Sequence, residues 1–590
     1  VRVMGEEGAP VRVLEAEGAL VRVMEAEGAP VRVLEADVVV VGSGGAGLCA
    51  AAAATRAGAR VVVVTKGRAG LANATAWAGG GFTVSPPTPG PGTLTPEEHF
   101  RLSLETGRHL ADPELLGELC WQGPRALEEL ERDYSVRLDW GPGGCSVGRY
   151  GRPPLLAGVG LTRPLLDFLR RAGVPFVEET VVAEVVLDGG RAAGVLGVDL
   201  DGRCLVAVEA PAVVVATGGG GAIYGRTDNP PRLTGDGYAL LEAAGARLVH
   251  MEFVQFYPLG VAEPGVPARL LDAGLLDYVR LTDETGTEPL SGRLAEWGLK
   301  SGGEVNLFAR DRAAVALSRH IADGHELYLH TEELDRPGVD PEVVRWLTAG
   351  LPRSLDPLRR PLRVAPTQHY FCGGAAIDRC GRVRRPDGEV IPGLLACGET
   401  TGGVDGANRV GGNALTNIVV FGLAAGKTAA EEARAGGRAV TGSGRAAWAG
   451  ATARLRERLE GWGVALDPDG SLRLGGLRPG GARGRTERGS VGPVELRKRL
   501  AEVADRFLGP VRRADTLERA LSELGELERA TAETSCRTPS ELLQALEVLA
   551  GVRTATRVAE AALARRESRG PHFREDYPLE DPALERPPWA

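Results

Sequence analysis

Four absences bound what this 590-residue chain can be. Its eight cysteines are Cys49, Cys120, Cys145, Cys204, Cys372, Cys380, Cys397 and Cys536, and no two form a Cys-x-x-Cys pair. That spacing argues against an iron–sulfur cluster or zinc site built within the chain and fits thiols in a reducing cytoplasm. No apolar run reaches the ~18–20 residues that a membrane span needs. The N-terminus lacks the charged-then-apolar pattern of a secretory leader. Lysine is scarce, arginine carries nearly all the positive charge, and the net charge is -9, with no basic run to grip nucleic acid. The expectation is a soluble, cytoplasmic protein that reaches a membrane only through a partner subunit. With 43% hydrophobic residues, the chain has material for large cores and, by length, about three to four domains.

The first 36 residues are a decapeptide repeat: VRVMGEEGAP, VRVLEAEGAL and VRVMEAEGAP, then VRVLEA running into the next strand. The period is too short for a helical solenoid unit. No copy can bury a core alone, so the expectation is a flexible acidic tail; extra edge strands or a docking arm are the other reading.

From Asp37 the pattern becomes strand, glycine turn, helix, strand. Val38–Val41 is a buried strand by its unbroken apolar run. The turn Gly42-Ser43-Gly44-Gly45-Ala46-Gly47 follows, then an alanine-rich helix to Ala57 and a second strand from Arg60 to Thr65. In this context Gly42 permits the tight turn, Gly44 admits a pyrophosphate to the backbone, and Gly47 lets helix and strand pack closely. Thr65-Lys66 stands where an NAD site would place its ribose-gripping carboxylate, so NAD is disfavoured. Pro211–Ala216 is another buried strand, ending in Thr217-Gly218-Gly219-Gly220. Residues 255–355 break the rhythm and read as an inserted cap; strands return near Gly393–Cys397. Residues 465–490 are rich in glycine and arginine and read as a surface connection. From Val494 to about Arg565 apolar residues recur at helical spacing, which predicts a C-terminal bundle.

Ala396-Cys397-Gly398-Glu399 and the stretch from Asp405 to Leu415, with Arg409, Asn413, Ala414 and Leu415, run into an apolar helix at Ile418. Such a loop can hold a flavin pyrimidine against a helix N-terminus and aim a guanidinium at a carboxylate. It resembles the "GE…HGANRLGGNSL" segment of the succinate dehydrogenase / fumarate reductase flavoprotein family, which includes L-aspartate oxidase. Thr65-Lys66 agrees with that family's "TK". Asn73-Ala74-Thr75-Ala76-Trp77-Ala78-Gly79-Gly80-Gly81 resembles its "SHTVAAQGG" segment beside the isoalloxazine. Where membrane-bound members carry the histidine that bonds the flavin, this chain has Ala74, so the resemblance implies non-covalent FAD. It also implies cofactor contacts at Thr75, Ala78, Gly80 and Gly81. Ala216-Thr217-Gly218 resembles the second flavoprotein signature, and Thr234-Gly235-Asp236-Gly237 the "TGDG" after it.

Dicarboxylate redox chemistry needs cations to clamp two carboxylates and an acid/base opposite the flavin. By resemblance, His369 in the "HYxxGG" segment and Arg409 bind carboxylates, and Arg310 in "RD" transfers the proton. An arginine acid has an ordinary pKa above ~12 and acts only in a dry site where charge develops beside it. Two family positions differ. "QFHPT" reads Gln255-Phe256-Tyr257-Pro258-Leu259, which puts Tyr257 in the substrate histidine's place. "TEGxRGEGG" aligns with Leu271 to Asp277, giving Leu271, Asp272 and Leu275 for Thr, Glu and Arg; a slip would let Arg269 or Arg280 substitute. Asp515–Leu527 and the charged stretch Glu567–Pro578 resemble two segments of the family's C-terminal domain.

The expected fold is an α/β FAD-binding, Rossmann-like domain with an inserted α+β capping domain and a C-terminal helical bundle. The expected limits are 1–36 for the repeat, 37–254 and 356–435 for the FAD-binding domain, 255–355 for the cap and 436–590 for the helical domain. The resemblance implies hydride transfer between flavin N5 and a dicarboxylate, the electron partner being an iron–sulfur subunit. L-aspartate oxidase chemistry on an amino acid, or an FAD-binding relay without dicarboxylate chemistry, are the alternatives.

Overall fold

The valine runs set the centre of the molecule. Val38–Val41 and Val61–Val64 are buried along their whole length, as strands of a sheet covered on both faces must be, with helices on one face and a second sheet on the other. A computed structural model of the chain describes residues 2–4, 10–16, 19–26, 29–88, 90–148, 157–348, 351–436, 442–475 and 491–585. In it these strands join a six-stranded sheet in the order Phe176–Val177, Val61–Val64, Val38–Val41, Ala212–Val215, Val390–Ala396 and Arg382–Arg384. All its pairings are parallel except the last. Helix Gly45–Arg56 lies on it and packs along helix Asn413–Gly436.

The described residues of the repeat form strands Arg2–Met4, Pro10–Ala16, Ala19–Ala26 and Ala29–Glu35 rather than the expected tail. VRVLEA alternates with a period of two, which suits a pleated strand. Successive copies pair antiparallel, and the last pairs parallel with Cys204–Glu209, placing Arg32 opposite Val206. The result is a seven-stranded sheet that continues through Arg191–Asp199 to Thr180–Asp188. Val31 and Val33 face one apolar core and Leu34 the other. Helix Gly442–Gly461, expected in the C-terminal domain, covers this sheet with Trp448 and Leu455 instead. Residues 476–490 of the expected surface connection lie outside the described residues; Ala465–Leu466 and Leu472–Arg473 pair as a short hairpin.

The cap is built on a four-stranded antiparallel sheet, in the order Val254–Val261, Leu362–Phe371, Leu327–Leu329, Leu281–Asp283. The chain enters and leaves the cap on two strands bonded to each other, so the cap sheet extends beyond the 255–355 limits. Helix Arg310–Ala322 packs against Val254–Val261. Helices Pro493–Phe507, Ala514–Ala532 and Pro539–Ala564 form the C-terminal bundle. The last opens with a capping box between Thr538 and Glu541, and Pro539 occupies its first turn. The bundle core takes in Tyr224, Tyr238 and Phe371, which seats it on the FAD-binding domain.

The charged stretch after the bundle is interior. Glu567, Arg569, His572 and Arg574 are all buried. Arg512 donates to the Glu252 carbonyl at 2.6 Å, with His572 Nδ1 2.8 Å away, and Arg569 pairs with Glu567. Among the described residues no helix is long and apolar enough to cross a membrane.

Candidate active site

Two neighbouring sites emerge. The first is a cleft of about 930 Å³ at the carboxyl ends of the parallel strands, where an open α/β sheet binds its ligands. Of the residues expected to hold a cofactor, Gly42, Gly44, Gly45, Ala46, Thr65, Lys66, Thr75, Ala216, Thr217, Gly218, Asp236 and Glu399 line it. Gly47 lies beneath, where a Cβ would stand 2.0 Å from the Gly42 carbonyl oxygen. Gly42 itself has φ +110, and a Cβ there would meet the Ala216 oxygen at 2.3 Å. Gly44 is different: the nearest protein atom to its Cβ position is Asn73 Cβ at 3.6 Å, so the protein leaves room at that turn. Ala78, Gly80, Gly81, Asn413, Ala414 and Leu415 are not among the lining residues. Gly81 opens the strand Gly81–Thr83, and Asn413 heads the long helix, held by His99 and Ser103.

A dinucleotide fits this cleft by the donors and space it offers. Asn73 caps the helix Ala74–Trp77 through Oδ1, while its Nδ2 is buried with no partner among the described residues. Gly44 and the start of helix Gly45–Arg56 face the same space, a position suited to phosphate. Ala74 also lines the cleft and has no nitrogen to bond a flavin.

Lys66 is held from two domains. Its ammonium donates to Thr234 at 2.9 Å and to Asp236 at 2.7 Å, and lies 3.1 Å from Glu547 on the last bundle helix. Burial alone would lower its pKa, but the two carboxylates hold it above the ordinary value. Glu399 is also buried, and its Oε1 accepts from the Phe371 N–H at 3.1 Å. Burial pushes its pKa up to about 7, against that hydrogen bond and the Arg409 charge.

The second site lies between this domain and the cap. Arg409 is 5% exposed, stacks over the Tyr370 ring at 4.3 Å, and donates to Gln255 Oε1 and the Val410 carbonyl, both at 3.1 Å. Its Nε has no partner among the described residues. Arg310, at the start of its helix, donates from Nε to the Asn306 carbonyl at 2.6 Å and lies over the Tyr257 ring. Gly411 makes room for it: a Cβ there would stand 2.8 Å from Arg310 Nη2. Burial and the Arg409 charge lower the Arg310 pKa to about 10. Among the described residues no carboxylate forms an ion pair with either arginine. His369 Nδ1 lies 3.0 Å from Asp228 Oδ2, and its ring stands edge-on to Tyr257. Burial raises the Tyr257 pKa to about 12; its hydroxyl donates to Asn306, whose amide donates to exposed Asp272 at 2.8 Å.

All four residues expected at the substrate, Arg310, His369, Arg409 and Tyr257, therefore gather together. Leu271 and Leu275 are buried in the apolar core of the cap. Arg280 pairs with Glu333 at the surface and Arg269 reaches the Leu347 carbonyl. Sequence reasoning missed Asn73, Asn306 and Glu547. Asn73 was readable as the cap residue before a short helix; the other two become neighbours only through the tertiary fold. Thr83 donates to the Gly411 carbonyl at 2.6 Å and its own carbonyl accepts from Thr416 at 2.9 Å, tying the loop before the long helix to strand Gly81–Thr83.

Comparison with known proteins gives consistent matches. The family described as "FAD binding domain" matches residues 37–415, and "Fumarate reductase flavoprotein C-term" matches residues 497–583. The chain is 30% identical over 572 residues to a fumarate reductase (CoM/CoB) subunit of Methanothermobacter marburgensis, covering 93% of this chain and 96% of that one. It is 32% identical over 568 residues to an L-aspartate oxidase of Streptomyces coelicolor, covering 92% and 88% of the two chains. A solved quinol fumarate reductase chain of Escherichia coli superposes with a TM-score of 0.76 at 26% identity, covering 93% of each.

Proposed function

The chain belongs to the FAD-binding fumarate reductase flavoprotein family and is an FAD-dependent oxidoreductase, and from that premise we propose that it interconverts a dicarboxylate and its unsaturated partner. One observation carries this reading: Arg409 is buried and Arg310 half-buried close to it, with no carboxylate ion-paired to either among the described residues. Two such cations raise one another's cost, and an anionic substrate relieves it.

Bound FAD supplies the two-electron chemistry. Lys66, Thr75, Asp236 and Glu399, with the glycine turn from Gly42 to Gly47, would hold it. Arg409 and His369 each take a substrate carboxylate oxygen. Asp228 fixes the His369 ring, and the Tyr370 face and Gln255 fix the Arg409 plane, so both donors are oriented before substrate arrives. Arg310 exchanges the proton at the substrate carbon; its pKa near 10 brings that transfer within reach. The Tyr257–Asn306–Asp272 hydrogen bonds connect its surroundings to the surface. Electrons come from an iron–sulfur partner, a reading supported by the methanogen relative being named for its place in a larger complex.

L-aspartate oxidation is the second reading. It keeps the same arginine clamp and is favoured by the likeness to the Streptomyces enzyme. Two mixtures test the readings: the purified yellow protein reduced anaerobically with dithionite and mixed with fumarate, and the oxidised protein mixed with L-aspartate. Rapid return of oxidised flavin absorbance is expected, slowed at least about a hundredfold in Arg310→Ala. Bleaching of the oxidised protein by L-aspartate favours the second reading, whether or not fumarate reoxidises it. Silence toward both points to an FAD-binding relay.

A further inference from the structure

The cap carries a cluster that the proposed reaction does not use. Asp283 ends the strand Leu281–Asp283 and Glu284 follows it. His320 comes from the last turn of helix Arg310–Ala322, and His325 from the turn just beyond. Asp283 Oδ2 lies 2.9 Å from His320 Nε2 and 3.7 Å from His325 Nδ1. Glu284 Oε1 lies 2.8 Å from the same His325 Nδ1. The two imidazoles stack with centroids 4.5 Å apart. One donor atom from each of Asp283, His320 and His325 lies within 4.8 Å of the others.

A tetrahedral ion with bonds of ~2.0–2.1 Å places its donor atoms about 3.3 Å apart. The Asp283 Oδ2 separations from the two imidazole nitrogens, 2.9 and 3.7 Å, fall on either side of that value. The carboxylates are also oriented from behind. Asp283 Oδ1 accepts from Thr285 N, Thr285 Oγ1 and Thr287 N at 2.8, 2.7 and 2.9 Å, which leaves Oδ2 for the imidazoles. Glu284 Oε2 accepts from the Glu326 N–H at 2.9 Å, which leaves Oε1. Anchoring of the distal oxygen is the support that metal-binding carboxylates require. Asp283 is 1% exposed while His320 and His325 are 20% and 34% exposed, so the cluster has a fixed base and an open mouth.

We propose that Asp283, His320 and His325 form a divalent metal site, with His320 Nε2, His325 Nδ1 and Asp283 Oδ2 as donors and solvent in the fourth position. Two imidazoles with one carboxylate suit Zn²⁺ or Co²⁺ over Mg²⁺ or Ca²⁺. The ion is structural. It ties the far end of the helix that begins at Arg310 to the edge strand of the cap sheet.

The test uses the full chain with its FAD, freed of metal by chelation and dialysis. Zn²⁺ binding is measured by calorimetry, and Co²⁺ binding by its visible absorption. The expected result is one ion per chain with a tetrahedral Co²⁺ spectrum, discharged by Zn²⁺, and a melting temperature raised by Zn²⁺. His325→Ala, at the open side, and His320→Ala should each weaken Zn²⁺ binding by about a hundredfold or more while leaving FAD content unchanged. Absence of stoichiometric binding, an octahedral spectrum, or binding that survives His325→Ala overturns the proposal.

Discussion

Arg409 and His572 illustrate opposite uses of a buried polar residue. Arg409 is anchored but incompletely partnered, as a ligand-binding group is. His572 is locked among Arg512, Arg574 and the chain end, and burial followed by the Arg512 charge drives its pKa well below the usual histidine range. It is therefore neutral in the folded protein, whereas the unfolded chain binds a proton below pH ~6.5. The unfolded state then holds more protons, so this group's contribution to stability is complete above pH ~6.5 and is lost on acidification. Raised Glu399 and Asp405 carboxyls act in the opposite sense, so the whole-protein profile mixes the two. A comparison isolates the histidine: the stability gap between wild type and His572→Gln should narrow by up to about 1.4 kcal/mol per pH unit below 6.5. Denaturant midpoints at several pH values measure it, and a gap independent of pH contradicts the assignment. The glycine turn, Arg310, His369 and Arg409 were legible in the sequence because each is fixed by a short local pattern. Asn306 was not, because its role depends on a contact with Tyr257, 49 positions away.

Helix Pro539–Ala564 is the element that joins the C-terminal bundle to the cofactor. Its Glu547 is 1% exposed and pairs with Lys66 in the cleft and with Arg497 on the first bundle helix. Glu547→Gln leaves Arg497 facing an amide and Lys66 with Asp236 as its remaining carboxylate, at a cost of about 1–3 kcal/mol. FAD retention through gel filtration should fall with it, and restored retention in Glu547→Asp would tie the effect to charge. At this scale the long elements were readable, since runs of valine and helical periodicity persist over many residues. The cap sheet was not. Leu281–Asp283 and Leu327–Leu329 have 3 residues each, too few to show a period, and they pair only after the intervening helix brings them together.

Across the molecule, a bundle, a cap and a repeat-bearing sheet surround one FAD-binding core. The repeat forms one side of its sheet, and none of its residues lines the cofactor cleft. Deleting residues 1–26 should leave FAD content and melting temperature unchanged, because Ala29–Glu35 still pairs with Cys204–Glu209. Deleting residues 29–35 as well should cost about 3 kcal/mol or more, from the burial of Val33 and Leu34 alone. Differential scanning calorimetry of the two truncations separates these outcomes, and equal destabilisation would contradict the strand pairing. Legibility failed here for an opposite reason to the cap: the alternation was plain, but no local feature said which sheet would receive it.

The last repeat copy pairs with a strand of the body of the protein, the copy before it also touches helix Gly442–Gly461, and the outer copies pair with other copies. Because the copies are near-identical in sequence, any of them can occupy that inner position. Slippage during replication that adds or removes one in-frame unit would thus be absorbed at the outer edge, with the inner contact rebuilt from the next copy. The gene can change length here in whole repeat steps while selection on the enzyme's chemistry registers nothing.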